Sequence, residues 1–275
     1  MTVQHHTENY RGSGGLELFV QSWHPATAQG ALVSLHGLGD HGGLHPSVAS
    51  HFSGAGWAVY APDLRGHGRS PGQRAYLRHW SEYRGDLGAL VRLVAERHGT
   101  PFVLGHSLGG LVTLDFALHH PAELRGAIAA APPLGELGVP RILMALGRAM
   151  SRVAPRFSLQ VGMDLSGLSR DPSVIAAVLA DPLFHRRGTA RLSTEVTAAI
   201  ARVQALAPTL AVPTLLLHGT ADRMVPPDGT RRFAASAPTD LTTLREYAGA
   251  YHALFADSDQ EAVLRDVEAW MVARC

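Results

Sequence analysis

The chain has 275 residues, 46% of them hydrophobic and 17% charged, with a formal net charge of +1. This is globular composition, long enough to bury a large core, and it excludes a disordered chain and any strong pull toward nucleic acid or anionic lipid. All 24 basic residues are Arg, and the one cysteine, Cys275, leaves no internal disulfide and no demand for an oxidising compartment.

The opening stretch MTVQHHTENYRGSGG is polar and lacks the apolar run of a signal peptide. No run of 18 apolar residues occurs, so no transmembrane helix is expected, and the chain reads as a soluble cytoplasmic protein. GSGG at 12–15 does not open a helix, which makes it a hairpin turn rather than a dinucleotide fingerprint. Strands are predicted at LELFVQSW (16–23), ALVSLHG (31–37), WAVYAPD (57–63), PFVLGH (101–106), GAIAAAP (126–132), VPTLLLHG (212–219) and LTTLREY (241–247). Several are nearly continuous apolar runs, as strands covered on both faces require. Helices are predicted between them, at 45–56, 81–98, 108–119, 226–236 and 258–274. The alternation implies an α/β fold with a mostly parallel sheet flanked by helices, the first strand or two pairing antiparallel.

From about Leu134 to Leu210 no convincing strand is visible, only helical pattern broken by Gly and Pro. The expected organisation is therefore one core domain, 1–133 and 211–275, with a helical cap or lid at 134–210 inserted between two strands. Within the cap, GVPRILMALGRAMSRVAP is amphipathic. Val139, Ile142, Leu143, Leu146, Met150 and Val153 fall within an arc of about 100°, opposite Arg141, Arg148 and Arg152. Such a helix packs on its own domain or lies over an apolar site, where transient membrane contact is conceivable.

After the strand PFVL comes GHSLGG (105–110), followed by helix-periodic LVTLDFALHH. A serine at a sharp strand-to-helix turn is the nucleophile elbow, G-x-S-x-G. Glycines are needed at 105 and 109 because side chains there would meet neighbouring backbone while Ser107 projects its hydroxyl. The Leu108 N–H, at the helix start, faces developing negative charge. The competing phosphate-loop reading fails because G-x-x-x-x-G-K-[ST] is absent, as is any lysine.

A serine hydroxyl needs a base, usually a histidine held by a carboxylate. In an open parallel sheet these groups gather at the carboxyl ends of strands. Asp222 follows VPTLLLHG and His252 follows LTTLREY, giving the order Ser, Asp, His expected of this arrangement. Asp63 precedes the serine and reads as an anchor for its own loop. His106 should point away from Ser107, His218 reads as hydrogen-bonded structure, and Asp257 and Asp259 as helix N-terminal residues.

The stretch LVSLHGLGDHGGLH (32–45) poses a separate question, because His36, His41 and His45 could be metal ligands. Neither H-E-x-x-H spacing nor a Cys cluster accompanies them, so a metal shared by these three is not expected. The glycines explain the stretch better. Gly37 and Gly39 let the backbone turn so that the Leu38 N–H can face a carbonyl oxygen above Ser107. His36 is then a structural hydrogen-bonder, and His41 is expected beside the pocket.

Taken in order, QSWHP, HGLGDH, YAPDLRGHGRSPG, GHSLGG, ADPLFH, VPTLLLHGTADRMV and YAGAYHALFAD resemble the α/β-hydrolase superfamily over nearly the whole chain, and within it the monoacylglycerol lipase and lysophospholipase group. The resemblance implies a catalytic triad of Ser107, Asp222 and His252, and oxyanion-hole backbone donors at Leu38 and Leu108. It also implies a helical cap with an apolar tunnel for acyl chains. Two positions depart from the best-known eukaryotic members, Leu44 where they carry a basic residue and Val178 where they carry tyrosine, both at their polar head-group site. The expectation is a serine ester hydrolase acting on a small-molecule acyl ester through an acyl-enzyme, needing no metal and no organic cofactor. Lysophospholipase, thioesterase, acyltransferase or peptidase chemistry on the same triad, a non-catalytic lipid-binding protein and a metal-dependent hydrolase are the alternatives; oligomeric state leaves no signal.

Overall fold

The computed structural model describes residues 2–135, 141–160, 162 and 164–275, with side chains of residues 141–144 left aside. Ten strands and eight α-helices follow one another as β1 (Val3–Arg11), β2 (Glu17–Pro25), β3 (Ala31–Leu35), α1 (Pro46–Gly54), β4 (Ala58–Pro62), α2 (Ser81–His98), β5 (Phe102–His106), α3 (Leu108–His119) and β6 (Gly126–Ala130). Then come α4 (Arg141–Val153), β7 (Ser158–Gln160), α5 (Pro172–Ala180), β8 (Arg187–Thr189), α6 (Ala190–Leu206), β9 (Thr214–Gly219), α7 (Asp228–Ser236), β10 (Thr242–Tyr247) and α8 (Gln260–Val272).

Eight strands form one sheet in the order β1-β2-β4-β3-β5-β6-β9-β10. From β4 to β10 every neighbouring pair is parallel. All those strands therefore end on one edge, and the loops leaving β3, β5, β9 and β10 meet there. The seven predicted strands and five predicted helices all form. In the main sheet one strand escapes the apolar pattern: β1 is polar and mostly exposed, and it pairs antiparallel with β2 at the sheet margin. An edge strand buries little, so hydrophobic pattern does not mark it. GSGG forms the tight turn between these two strands.

The strands β3 and β5 are buried along their whole length. Alternate residues point to opposite faces. Val33, Leu35 and Val103 join a core layer with Leu90 of α2 and Leu111 of α3. Leu32, Phe102 and Leu104 join the opposite layer with Phe52 of α1 and Val267 of α8. Helices thus cover both faces, which is why these strands read as continuous apolar runs.

Between β6 and β9 the chain leaves the sheet. Here the expectation of helix alone needs correction, since β7 and β8 pair antiparallel as a short ribbon. Each is three residues long, below the length at which alternation can be recognised. The second half of α6 returns to the core, where Ala199, Ile200 and Val203 pack in the same layer as α3. Of the apolar arc expected on α4, Val139 lies outside the described residues, as do the side chains of Ile142 and Leu143. Leu146 and Val153 face outward, 61% and 81% exposed.

Candidate active site

Ser107 sits between β5 and α3 with φ 53° and ψ −118°. A non-glycine residue in that region costs roughly 1–3 kcal/mol and persists only where its surroundings impose it. The surroundings are visible. A Cβ on Gly105 would collide with the Gly109 carbonyl, and one on Gly109 would lie 2.6 Å from the carbonyl oxygens of both Leu35 and His36. The turn is therefore wedged between β3 and its own helix, and Ser107 is pushed outward as the one partly exposed residue of the segment 102–117.

Asp222 and His252 arrive from the ends of β9 and β10. The His252 Nδ1–H donates to Asp222 Oδ2 at 2.7 Å, with both side chains buried. The backbone N–H groups of Met224 and Val225 donate to Asp222 Oδ1, each at 2.9 Å. His218 lies 3.4 Å from Asp222 Oδ2 and is fixed by the Val225 carbonyl and the Thr230 hydroxyl. Burial by itself would raise the Asp222 pKa. Hydrogen bonds from His218 and His252, then the charge of His252, outweigh it and hold the carboxyl well below its ordinary range. A buried ionised carboxylate on Nδ1 sets the imidazole tautomer, leaving Nε2 free to take a proton.

Ser107, Leu38, Leu108 and His252 all line one cavity of about 400 Å³. Its far walls are apolar, including Val174, Val178, Leu192 and Val196 from the segment between β6 and β9. Leu44 lines it too. Leu108 opens α3, and Leu38 precedes Gly39, whose φ of +80° suits glycine. A Cβ at Gly39 would strike the His185 carbonyl, and the His185 N–H donates to the Gly39 carbonyl at 2.9 Å. The loop carrying Leu38 is thus clamped by the inserted segment.

The family Hydrolase_4, described as serine aminopeptidase, S33, matches residues 26–259. The chain belongs to this family. Among curated relatives, the monoacylglycerol lipase of Mycolicibacterium smegmatis is 34% identical over 273 residues, covering 96% of each chain. The monoglyceride lipase of Rattus norvegicus is 31% identical over 270 residues, 94% of this chain and 88% of its own. Among solved structures, Paleococcus ferrophilus monoacylglycerol lipase superposes with a TM-score of 0.88 at 34% identity, over 94% of this chain and 100% of its own. The α/β-hydrolase architecture expected from the motifs is the one these neighbours share.

In this family member, the other polar residues near the site fall into distinct places. Asp63 anchors its loop, accepting from the N–H groups of Gly42 at 2.8 Å and Arg69 at 2.7 Å. His36 donates to the Gly37 carbonyl and accepts from the Leu64 N–H. His41 is not a lining residue: its Nε2 faces Asp181 at 3.1 Å, and His45 takes the place at the cavity wall. The loop turns at Gly42 and Gly43, and the Gly43 N–H donates to His41 Nδ1 at 3.1 Å. His106 turns away from Ser107, its Nε2–H donating to the His252 carbonyl at 3.1 Å. Burial, then the charges of His252 and His45, push its pKa well down, so the ring is neutral at neutral pH.

Asp257 corrects another expectation. It caps no helix. It accepts from the N–H groups of Arg170 and Tyr251 and from the Arg170 guanidinium, tying the loop that carries His252 to the inserted segment. Sequence spacing carries no trace of this, because Arg170 and Asp257 are 87 residues apart.

Proposed function

We propose that the chain hydrolyses carboxylic esters of lipid character, monoacylglycerols or similar monoesters, with Ser107 as nucleophile, His252 as base and Asp222 as its partner. The observation that carries this reading is a strained serine and a carboxylate-held imidazole on one apolar cavity. His252 takes the Ser107 proton as the hydroxyl attacks the ester carbonyl. The Leu38 and Leu108 N–H groups hold the oxyanion, each worth roughly 10²–10³ in rate. His252 then returns the proton to the departing alcohol, and water, activated by the same ring, releases the acid. Residues 134–210 serve as the cap, over a core made of 1–133 and 211–275. The lipase relatives support the substrate class.

The family description names a peptidase, so the test offers both chemistries. Monoacylglycerols of graded chain length, lysophospholipids and aminoacyl anilides are incubated with the protein, and products are resolved by chromatography. Release of fatty acid from monoacylglycerol, with anilides inert, is expected; turnover of anilides alone would overturn the reading. The apolar wall adds a second expectation. Each buried methylene is worth about 0.8 kcal/mol, so displacing two costs more than about tenfold in kcat/KM. Val196→Trp, which fills the cavity, should lose that factor on long acyl chains while p-nitrophenyl acetate stays within about threefold.

Membrane contact through the cap is part of the proposal. Leu146, Val153, Phe157, Leu159 and Leu179 are exposed large apolar residues, all within the inserted segment. No helix among the described residues is long and apolar enough to cross a membrane, so contact would be peripheral. Leu146→Asp with Val153→Asp should lower cosedimentation with zwitterionic vesicles severalfold and leave hydrolysis of a water-soluble ester within twofold. Equal cosedimentation of mutant and parent would remove the contact from the reading. A cytoplasmic location fits a chain whose one cysteine leaves no internal disulfide.

A further inference from the structure

The mechanism above leaves one group of ligand-type side chains unused. Asp40, His45 and His106 each place a donor atom within 4.8 Å of the others, the one such group among the described residues. They come from one loop and one strand end. Asp40 and His45 lie on the loop that carries Leu38, and His106 ends β5 immediately before Ser107.

Two ring nitrogens in this group have no partner. His106 Nδ1 and His45 Nδ1 are both shut off from solvent and make no hydrogen bond. A buried polar atom left unpaired costs roughly 1–3 kcal/mol and calls for an explanation. The tautomers sharpen the point. His106 Nε2 faces the carbonyl oxygen of His252 and must carry the hydrogen, so Nδ1 presents a bare lone pair. His45 Nε2 lies 2.9 Å from Asp40 Oδ2, so these two donors already stand together on one side of the group. His106, with its far N–H held by a carbonyl, is in the usual state of a metal-ligating histidine. His106 is 5% exposed and its ring centroid lies 5.3 Å from that of His45.

We propose that Asp40, His45 and His106 form a site for a divalent transition metal of the zinc and copper class, and that filling it inhibits turnover at Ser107. Imidazole with a carboxylate selects those ions over magnesium or calcium, which prefer all-oxygen shells. Three donors within 4.8 Å of one another have a centre no more than about 2.8 Å from each, so a closure of under 1 Å apiece reaches zinc bond lengths. All three residues line the cavity, which supplies the path of entry and leaves a fourth coordination position facing the substrate. A metal there pulls Asp40 toward His106. That strains the backbone two residues from Leu38, on the cavity wall that Ser107 shares.

Binding stands on geometry alone; only the inhibition rests on the reading of Ser107 as nucleophile. The test uses the full chain, tag-free and stripped of metal, titrated with Zn²⁺ in a calorimeter. His45→Gln and Asp40→Asn should each weaken binding at least about tenfold, while Ser107→Ala binds within twofold of the parent. His6→Gln is the surface control, since the His6 and His24 rings lie 5.4 Å apart near the first strand. Binding lost in His6→Gln and retained in His45→Gln overturns the site. Co²⁺ added to the parent protein needs no variant: strong visible d–d bands are expected of a four-coordinate centre, and their absence also overturns it. In the parent, Zn²⁺ should cut ester hydrolysis by more than half and a chelator should restore it. Inhibition of the same depth in His45→Gln overturns the link to turnover. A Ser107→Ala protein that still hydrolysed ester would remove the catalytic reading and leave the Zn²⁺ isotherms standing.

Discussion

Ser107→Ala is expected to lower kcat for ester hydrolysis by about 10⁴-fold or more, because no other hydroxyl stands at the strained turn below the oxyanion donors. A fluorophosphonate probe that labels the parent should leave the variant unmarked. The substitution removes one oxygen from a partly exposed residue. The backbone is held by Gly105 and Gly109 rather than by the hydroxyl. The thermal midpoint should therefore move by no more than about 3 °C. Loss of activity together with a large fall in stability would assign Ser107 a structural part instead. Retention of more than a tenth of the activity would remove it from the mechanism.

Asp222→Asn carries the second large effect. An amide at this position offers an N–H where His252 Nδ1 needs an acceptor, which favours the wrong tautomer, and kcat should fall by about 10⁴. The same substitution has a signature in stability. The Asp222 carboxyl titrates below its ordinary value in the folded state. Its ionisation therefore favours folding above the unfolded carboxylate pKa of about 3.9, and that contribution disappears as pH falls through the folded value. Urea midpoints of parent and variant should differ by a constant amount above about pH 5 and converge in acid. A gap that widened below pH 4 would contradict the proposed state of Asp222.

Much of the edge that carries Ser107, Asp222 and His252 could be read from residues. Ser107 stands after the apolar run of β5, Asp222 after β9, and His252 after β10. A parallel sheet delivers all such positions to one edge. That logic needs only strand identity and order, and both are local properties of apolar runs bounded by glycine, proline and polar turns. Local pattern failed where contacts are distant or elements short. β1 is polar because it is an edge. β7 and β8 hold three residues each and exist by pairing with each other. His41 and His45 are equivalent in sequence spacing terms, and the turn at Gly42 and Gly43 decides which one meets the cavity.

The segment between β6 and β9 illustrates the same division. Its place in the chain follows from the missing strands between β6 and β9. That half of α6 belongs to the core, and that Arg170 and His185 brace the loops of His252 and Leu38, depends on packing across 85 or more residues. The Asp40, His45 and His106 group is likewise a tertiary product, assembled from one loop and one strand end that share a wall.

By itself, then, the sequence determined the alternation of strands and helices, the serine elbow and the strand-end positions of Asp222 and His252, because each is written in hydrophobic period and turn chemistry over a few residues. Only the tertiary structure decided which histidine lines the cavity, what clamps the Leu38 loop, and which ring nitrogens are left without a partner. Those are matters of distance between segments far apart in the chain, and no local pattern encodes a distance.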